Sequence, residues 1–191
     1  DPTRRGPRAG AALRTDGEMI RLAGPPRVDA DVWELARVTD QARRAHEAGD
    51  ASEQARHLAR AAELWRGEPL TDLDVVAHLA PDVEHVRMSL VDAVLKLGEL
   101  RLASGRAADA VRCGEHARAA APYDERAHRL LLAAALQRRD PAAVSEIVDV
   151  VEAALSEVGA DPEPPTAMLL RQARQFASCR PVARAAVATR R

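Results

Sequence analysis

From residue 28 onward, apolar side chains recur at spacings of three and four, which is the rhythm of helices with one buried face. Asp29 or Asp31 can cap a first helix, on which Val32, Leu35, Ala36, Thr39 and Ala42 to Ala45 form one apolar face, and Gly49 stops it near Asp50. Ser52 is placed to cap a second helix, with Ala55, Leu58, Ala59, Ala62 and Trp65 along its stripe. Residues 70–79 are irregular. After Pro81 a long helix runs to Ser104, carrying Val83, Val86, Leu90, Val94, Leu97 and Leu100, and Gly105 ends it. Three more helices are predicted at about 107–120, 124–138 and 142–158, then a stiff Gly159-to-Pro165 linker, then a short helix over 166–177.

The pattern before residue 28 differs. Ala11 to Thr15 and Glu18 to Leu22 flank Asp16-Gly17, a dipeptide that accepts the positive φ angles of a tight turn, so a β-hairpin is expected over 11–23. Residues 1–10, with Gly and Pro among Arg, read as a disordered lead-in, and 178–191 as a disordered basic tail. The chain opens at Asp1 rather than Met, as an excised piece of a longer protein would.

Sliding the sequence by 34 positions sets Leu102 on Leu136, Ala110 on Val144 and Ala117 on Val151, and the turn Ser104-Gly105-Arg106 on Arg138-Arg139-Asp140. A helix–turn–helix period of 34 is that of tetratricopeptide repeats, in which small residues let two antiparallel helices approach closely. The turn at Ala48-Gly49-Asp50 lies 56 residues before Gly105, so the stretch from Trp65 to Pro81 reads as an insertion between hairpins. The expected fold class is therefore all-α, with antiparallel tetratricopeptide-like hairpins of about seven helices and a short N-terminal β-hairpin.

Composition agrees with helices and narrows the core. Hydrophobic residues make up 47% of the 191, but only Trp33, Trp65, Tyr123 and Phe176 are aromatic, so the core must be aliphatic. Residues 1–27 carry six Arg against three acids and residues 171–191 six Arg and no acid, leaving 16 basic against 26 acidic side chains between them. An acidic body is a poor grip for a phosphate backbone, which needs clustered positive charge. Cys113 and Cys179 are too few for a disulfide framework and suggest a reducing compartment. No apolar run reaches the ~20 residues of a membrane span and no signal peptide is visible, so a cytoplasmic location is expected.

Chemistry has little to stand on. The single lysine, Lys96, falls inside a helix and no phosphate-loop motif surrounds it. The histidines show no paired ligand spacing. The patch Asp72, Asp74, His78, Asp82, Glu84 and His85 could hold a metal, but acids at a helix start explain it more simply. No catalytic, cofactor or metal residues are assigned.

Two features outlast this survey. At Leu64-Trp65-Arg66-Gly67-Glu68-Pro69-Leu70 a helix is stopped with an indole at its end, which either closes the core, its N–H meeting a carbonyl of the Gly67–Leu70 turn, or stands out as a partner anchor; the core reading is preferred. In stacked hairpins the leading helices face the concave side, which makes Arg87, Arg126 and Arg129 candidates for a partner-binding groove. Glu125 reads as half of a surface ion pair.

The order Val28-Asp29-Ala30, Leu64-Trp65-Arg66-Gly67 with Pro69-Leu70, Arg87, Gly105, Pro122-Tyr123-Asp124-Glu125-Arg126 with Leu130 to Leu136, and Leu155 to Pro162 resembles the bacterial transcriptional activator domain of actinobacterial antibiotic-regulatory activators. The resemblance covers 28–177. It implies a tetratricopeptide-like domain for protein contacts and self-association, with RNA polymerase or a second copy as partner. Promoter DNA would be bound by a preceding winged helix, of which residues 13–22 look like the wing. Three departures stand out: no recognition helix precedes the ribbon, Ile147-Val148 replaces an aromatic, and Arg139 replaces a turn glycine. The alternative is a tetratricopeptide-like adaptor with no part in transcription.

Overall fold

The computed structural model describes residues 30–67 and 79–178, together with the backbone of 13–16 and 19–22. Seven helices are present among these residues: α1 (Asp31–Glu47), α2 (Ala51–Leu64), α3 (Ala80–Ala103), α4 (Ala107–Ala120), α5 (Glu125–Gln137), α6 (Pro141–Val158) and α7 (Pro164–Ser178). The fold class is all-α. Leu13–Asp16 (β1) and Met19–Leu22 (β2) carry an antiparallel ladder from Leu13↔Leu22 to Asp16↔Met19, but it approaches none of the helices. The hairpin expected over 11–23 is thus unsupported as an element of this fold, and its turn at Gly17 lies outside the described residues, as do the lead-in and the segment from Cys179 onward.

Helix ends follow capping chemistry more closely than the sequence pattern suggested. Asp50, not Ser52, caps α2: its side chain accepts from the Glu53 N–H at 2.9 Å, because the cap must sit outside the first turn to reach back to it. On α1 the cap position is Ala30 with no side-chain bond, and Asp31 is already helical, where its charge favours the positive end of the helix instead. Asp124 and Asp140 cap α5 and α6. The expected 159–165 linker is shorter than drawn, since Pro164 and Pro165 belong to α7; a proline in the first turn forfeits no helical hydrogen bond.

Each helix packs on the next, and α1 meets α3, α3 meets α5 and α5 meets α7, while the backbones of α2, α4 and α6 stay apart. The leading helices α1, α3, α5 and α7 therefore form the inner, concave layer of a short solenoid, with α2, α4 and α6 outside. The α2–α3 contact forms directly. Residues 68–78, most of the stretch read as an insertion, lie outside the described set. The turns α1–α2, α3–α4 and α5–α6 close alike. The N–H of Asp50, Arg106 and Asp140 reaches back to the carbonyls of Ala45, Arg101 and Ala135 at 2.9, 2.8 and 3.2 Å. Such closure puts the residue before each in the left-handed region, which Gly49 (φ 74°) and Gly105 (φ 76°) accept freely and Arg139 (φ 53°) does not.

The core is aliphatic, as composition required, and has two parts. One runs through α1 to α5, with Leu35, Val38, Leu58, Val91, Val94 and Leu130 among its buried residues; the other joins α5, α6 and α7 through Leu132, Val144, Val148, Val151 and Leu170. Helix α5 serves both, so its Leu130 to Leu132 are buried all round. Close approach of α3, α4 and α5 depends on Gly98, where a Cβ would overlap Leu130 Cδ2 and come within 3.0 Å of Cys113 Cβ. The buried face of α1 is Leu35, Val38, Ala42 and Ala45, rotated from the expected stripe. Val32 is 44% exposed and Ala36 is exposed too, since α3 covers only part of that side.

Candidate functional site

Between α1 and α3 the inner layer is open. Two clefts of about 430 and 310 Å³ adjoin there and share Thr39, Arg43 and Ser89, making one groove. Its upper part is walled by Val32, Leu35 and Ala36 from α1 and by His85 and Val86 from α3; its lower part is lined by Ala42, Ala93, Leu58 and Gln54. The apolar positions Val32 and Ala36, assigned from sequence to the core, face this groove. Alanines on both walls explain why it stays open: short side chains leave the gap between the two helices unfilled.

Charges around the groove are already matched. Asp40 lies between Arg43 and Arg44, and the Arg43 hydrogen bond at 2.6 Å holds its carboxyl below the usual range. Lys96 reaches Glu99 at 3.0 Å. The Thr39 hydroxyl donates to the Leu35 carbonyl and the Ser89 hydroxyl to the His85 carbonyl, both at 2.8 Å. Gln54 is the exception. Only 5% of the residue is exposed, at the floor of the groove, and its carboxamide is bonded to no described residue but keeps contact with solvent there.

The three arginines nominated from sequence do not gather at one site. Arg87 pairs with Glu84 and donates to the Ala120 carbonyl, so it satisfies the last turn of α4. Arg126 bridges Asp124 at 2.7 Å and Asp92 of α3 at 2.8 Å. Burial alone would push Asp124 up, but these hydrogen bonds from Arg126 outweigh it and hold the carboxyl low. Arg129 donates to Glu163 at 2.7 Å and to the Thr166 hydroxyl at 2.8 Å, joining α5 to the start of α7. All three are braces between helices: Arg87 ties α3 to the end of α4, Arg126 ties α5 to α3, and Arg129 ties α5 to the start of α7. All three lie on inner-layer helices, Arg87 on α3 and Arg126 and Arg129 on α5.

Glu125 departs from its reading as a surface ion pair. Its side chain is 13% exposed and accepts the Glu163 N–H at 3.0 and 3.2 Å, capping α7 from another helix. Its nearest cation, Arg129, is 4.0 Å away. Nothing in local sequence could announce that, because the two residues are 38 apart.

Leu64, Trp65, Arg66 and Gly67 form the end of α2. Leu64 and Trp65 pack on the first core, and the indole lies against His116 of α4 with ring centroids 4.3 Å apart. Arg66 pairs with Asp31 at 3.2 Å, and Gly67 has φ 143°. Trp65 thus serves the core; its expected bond to a carbonyl in the turn falls partly on Pro69 and Leu70, outside the described residues. On the outer face a cleft of about 570 Å³ lies between α4 and α6, lined by Tyr123, Val150 and Glu157. At its base His128 donates from Nε2 to the Pro122 carbonyl at 2.7 Å, leaving a buried Nδ1 unpartnered. Among the described residues no group of three potential metal ligands occurs and no helix is long and apolar enough to cross a membrane. Asp72, Asp74 and His78 of the acidic patch lie outside that set.

Comparison with known proteins places this arrangement. The family model of the bacterial transcriptional activator domain matches residues 30–174, from the cap of α1 into α7. None of the curated proteins matches the chain. The chain belongs to the bacterial transcriptional activator domain family, a family of regulatory domains.

Proposed function

We propose that this chain is the protein-interaction part of a bacterial transcriptional regulator, which works by docking a partner or a second copy of itself rather than by catalysis. The observation that carries the reading is the family match over the whole helical body. It favours a regulator over an adaptor with no part in transcription. The solenoid and its open inner groove suit protein contacts. The acidic balance of residues 28–170, 16 basic against 26 acidic side chains, disfavours DNA as a ligand of this body.

In this reading a winged helix preceding the domain binds the promoter, residues 13–22 are its wing, and RNA polymerase or a second copy is the partner, all in the cytoplasm. Arg126, whose side chain is 45% exposed, keeps the most surface of the three arginines for such a contact. Deleting residues 30–174 from the full regulator should abolish promoter activation and leave promoter binding in place. Retained activation overturns the reading. Sedimentation at tens of micromolar should give a dimer; a monomer removes self-association. If the helical body alone shifts promoter DNA at physiological salt, its assignment as a non-DNA surface is wrong.

A further inference from the structure

Among the described residues one buried side-chain polar atom has no hydrogen-bond partner, the Nδ1 of His128. The residue is 2% exposed, and its Nε2 meets the Pro122 carbonyl at 2.7 Å. A carbonyl only accepts, so the hydrogen of the neutral ring sits on Nε2 and Nδ1 is left as a bare lone pair. Such atoms are rare in folded proteins. His128 lies at the base of the outer cleft between α4 and α6, and it also borders a narrow space of about 10 Å³ beside that cleft. We propose that the cleft is a small-molecule site, which takes a flat apolar molecule bearing an O–H or N–H donor and pairs that donor with His128 Nδ1. The site is separate from the α1–α3 groove, and it stands whether or not the chain docks a protein.

The polar groups around the cleft select a donor. Glu115 and Glu157 stand at its rim, and the Tyr123 hydroxyl already donates to Glu157 at 2.9 Å. The one guanidinium there, that of Arg118, lies 3.8 Å from Glu115. Two carboxylates against one cation turn an anion away, and together with Nδ1 they leave acceptors to be met. The walls select the apolar body. Ala119 on α4 and Val150, Ala153 and Ala154 on α6 are short, so the space between the two helices stays unfilled and its surface is largely carbon. At about 570 Å³ the cleft falls within the ~300–1,000 Å³ of small-molecule sites.

Access to Nδ1 runs past Tyr123. Tyr123, His128 and Ala154 border both the cleft and the narrow space, so the two lie back to back across these side chains. Of the three, only Tyr123 can swing, because it is 52% exposed and its hydroxyl is tied by one hydrogen bond to an exposed glutamate. Turning it aside joins the two spaces and uncovers Nδ1. Val158, 49% exposed, borders the same narrow space, so two large hydrophobic side chains lie bare at one spot and an apolar ligand covers them. A lone water gains less. Glu125 already accepts the Glu163 N–H and Tyr123 already serves Glu157, which leaves a water chiefly Nδ1, short of the ~2–4 polar partners that hold one buried.

The test uses the full chain, isotopically labelled at nitrogen, and two probes of nearly one shape: para-cresol, which carries the donor, and para-methylanisole, in which a methyl ether replaces it. Titrated para-cresol should shift the His128 Nδ1 resonance in a saturable way and raise the thermal midpoint. The ether should bind about fivefold more weakly or worse, since it leaves Nδ1 unmet. Ala153→Phe, which fills the exposed α6 wall, should abolish the shift, and Tyr123→Ala, which removes the cover, should tighten para-cresol binding. The proposal is overturned if Nδ1 shows no saturable shift up to the solubility limit of para-cresol, if the two probes bind alike, or if Ala153→Phe binds as the wild type does. Weaker binding by Tyr123→Ala also counts against it, because the ring would then be a wall and not a cover. Crystals grown with para-cresol give the last arm. A phenol oxygen within hydrogen-bond distance of Nδ1 supports the site, whereas an ordered water on Nδ1 with no phenol beside it assigns the atom to solvent and removes the site. None of these outcomes depends on promoter activation or self-association, so the regulator reading stands or falls separately.

Discussion

The indole of Trp65 and the imidazole of His116 lie with ring centroids 4.3 Å apart and planes tilted by 52°. Trp65 ends α2 and His116 sits in the C-terminal half of α4, so this contact ties the first hairpin to the second at a place where the helix backbones stay apart. Truncating the indole, Trp65→Ala, should lower stability by about 2–3 kcal/mol, below the 3–5 of a fully buried aromatic because the ring is half-buried. Urea denaturation of the two proteins measures it. A change under 0.5 kcal/mol would mean that the ring contributes nothing to the core.

The same contact makes stability pH-dependent. Burial lowers the His116 pKa from its ordinary 6.5. Below 6.5 the unfolded chain therefore takes up a proton that the folded chain resists, so stability is full above that pH and falls as pH drops through the folded value. His116→Phe keeps the ring contact and removes the titration. Between pH 7.5 and 5.5 the wild type should lose more of its thermal midpoint than the variant; equal losses would remove His116 as the source. Asp124, whose carboxyl lies below its ordinary 3.8, acts in a separate window, its contribution present above 3.8 and lost at more acid pH.

Arg139 occupies a left-handed position that costs a side chain about 1 kcal/mol relative to glycine. Arg139→Gly should therefore raise stability by roughly 0.5–1 kcal/mol. Gly105→Ala should lower it by about 1 kcal/mol through backbone strain alone, because a Cβ there meets nothing within 4 Å. Chemical denaturation of both variants gives the two signs together, and two losses would contradict the account.

Arg129 holds the start of α7 through Glu163 and the Thr166 hydroxyl, and Thr166 is only 2% exposed. Arg129→Ala leaves that hydroxyl without its donor, at a cost of about 1–2 kcal/mol. The loss should be local. Hydrogen exchange should quicken in α7 and not in α1 or α2, whereas uniform quickening would show that α7 is no separate unit.

The repeat was legible because its physical cause is local. Gly49 and Gly105 end helices wherever they stand, and the 34-residue offset of Leu102 and Leu136 is the span of the α3–α4 turn, α4, the α4–α5 turn and most of α5. That offset returns in the fold as contacts 34 residues apart: Arg126 with Asp92, Tyr123 with Glu157, Arg129 with Glu163. Cap assignment slipped by two residues at Ser52, because an Asp and a Ser both stood near the right place and only the reach to the Glu53 N–H decides between them.

The candidate site was far less legible. Arg87, Arg126 and Arg129 all fall on inner-layer helices, but their engagement with the Ala120 carbonyl, Asp92 and Glu163 depends on how hairpins stack. Gln54 gave no signal, since a polar residue on a helix stripe reads as surface until a neighbouring helix covers it. Val32 and Ala36 misled in the opposite sense: their spacing is that of a core face, and the core turned out to be Leu35, Val38, Ala42 and Ala45.

By itself the sequence determined the helices, their order, the positions of the turns and the aliphatic character of the core, all of which rest on backbone preference and spacing within one segment. Only the tertiary structure decided which side of each helix is covered, which charges are spent on one another, and that a groove stays open between α1 and α3. Burial and pairing are properties of two surfaces at once, and a single segment carries the pattern of only one of them.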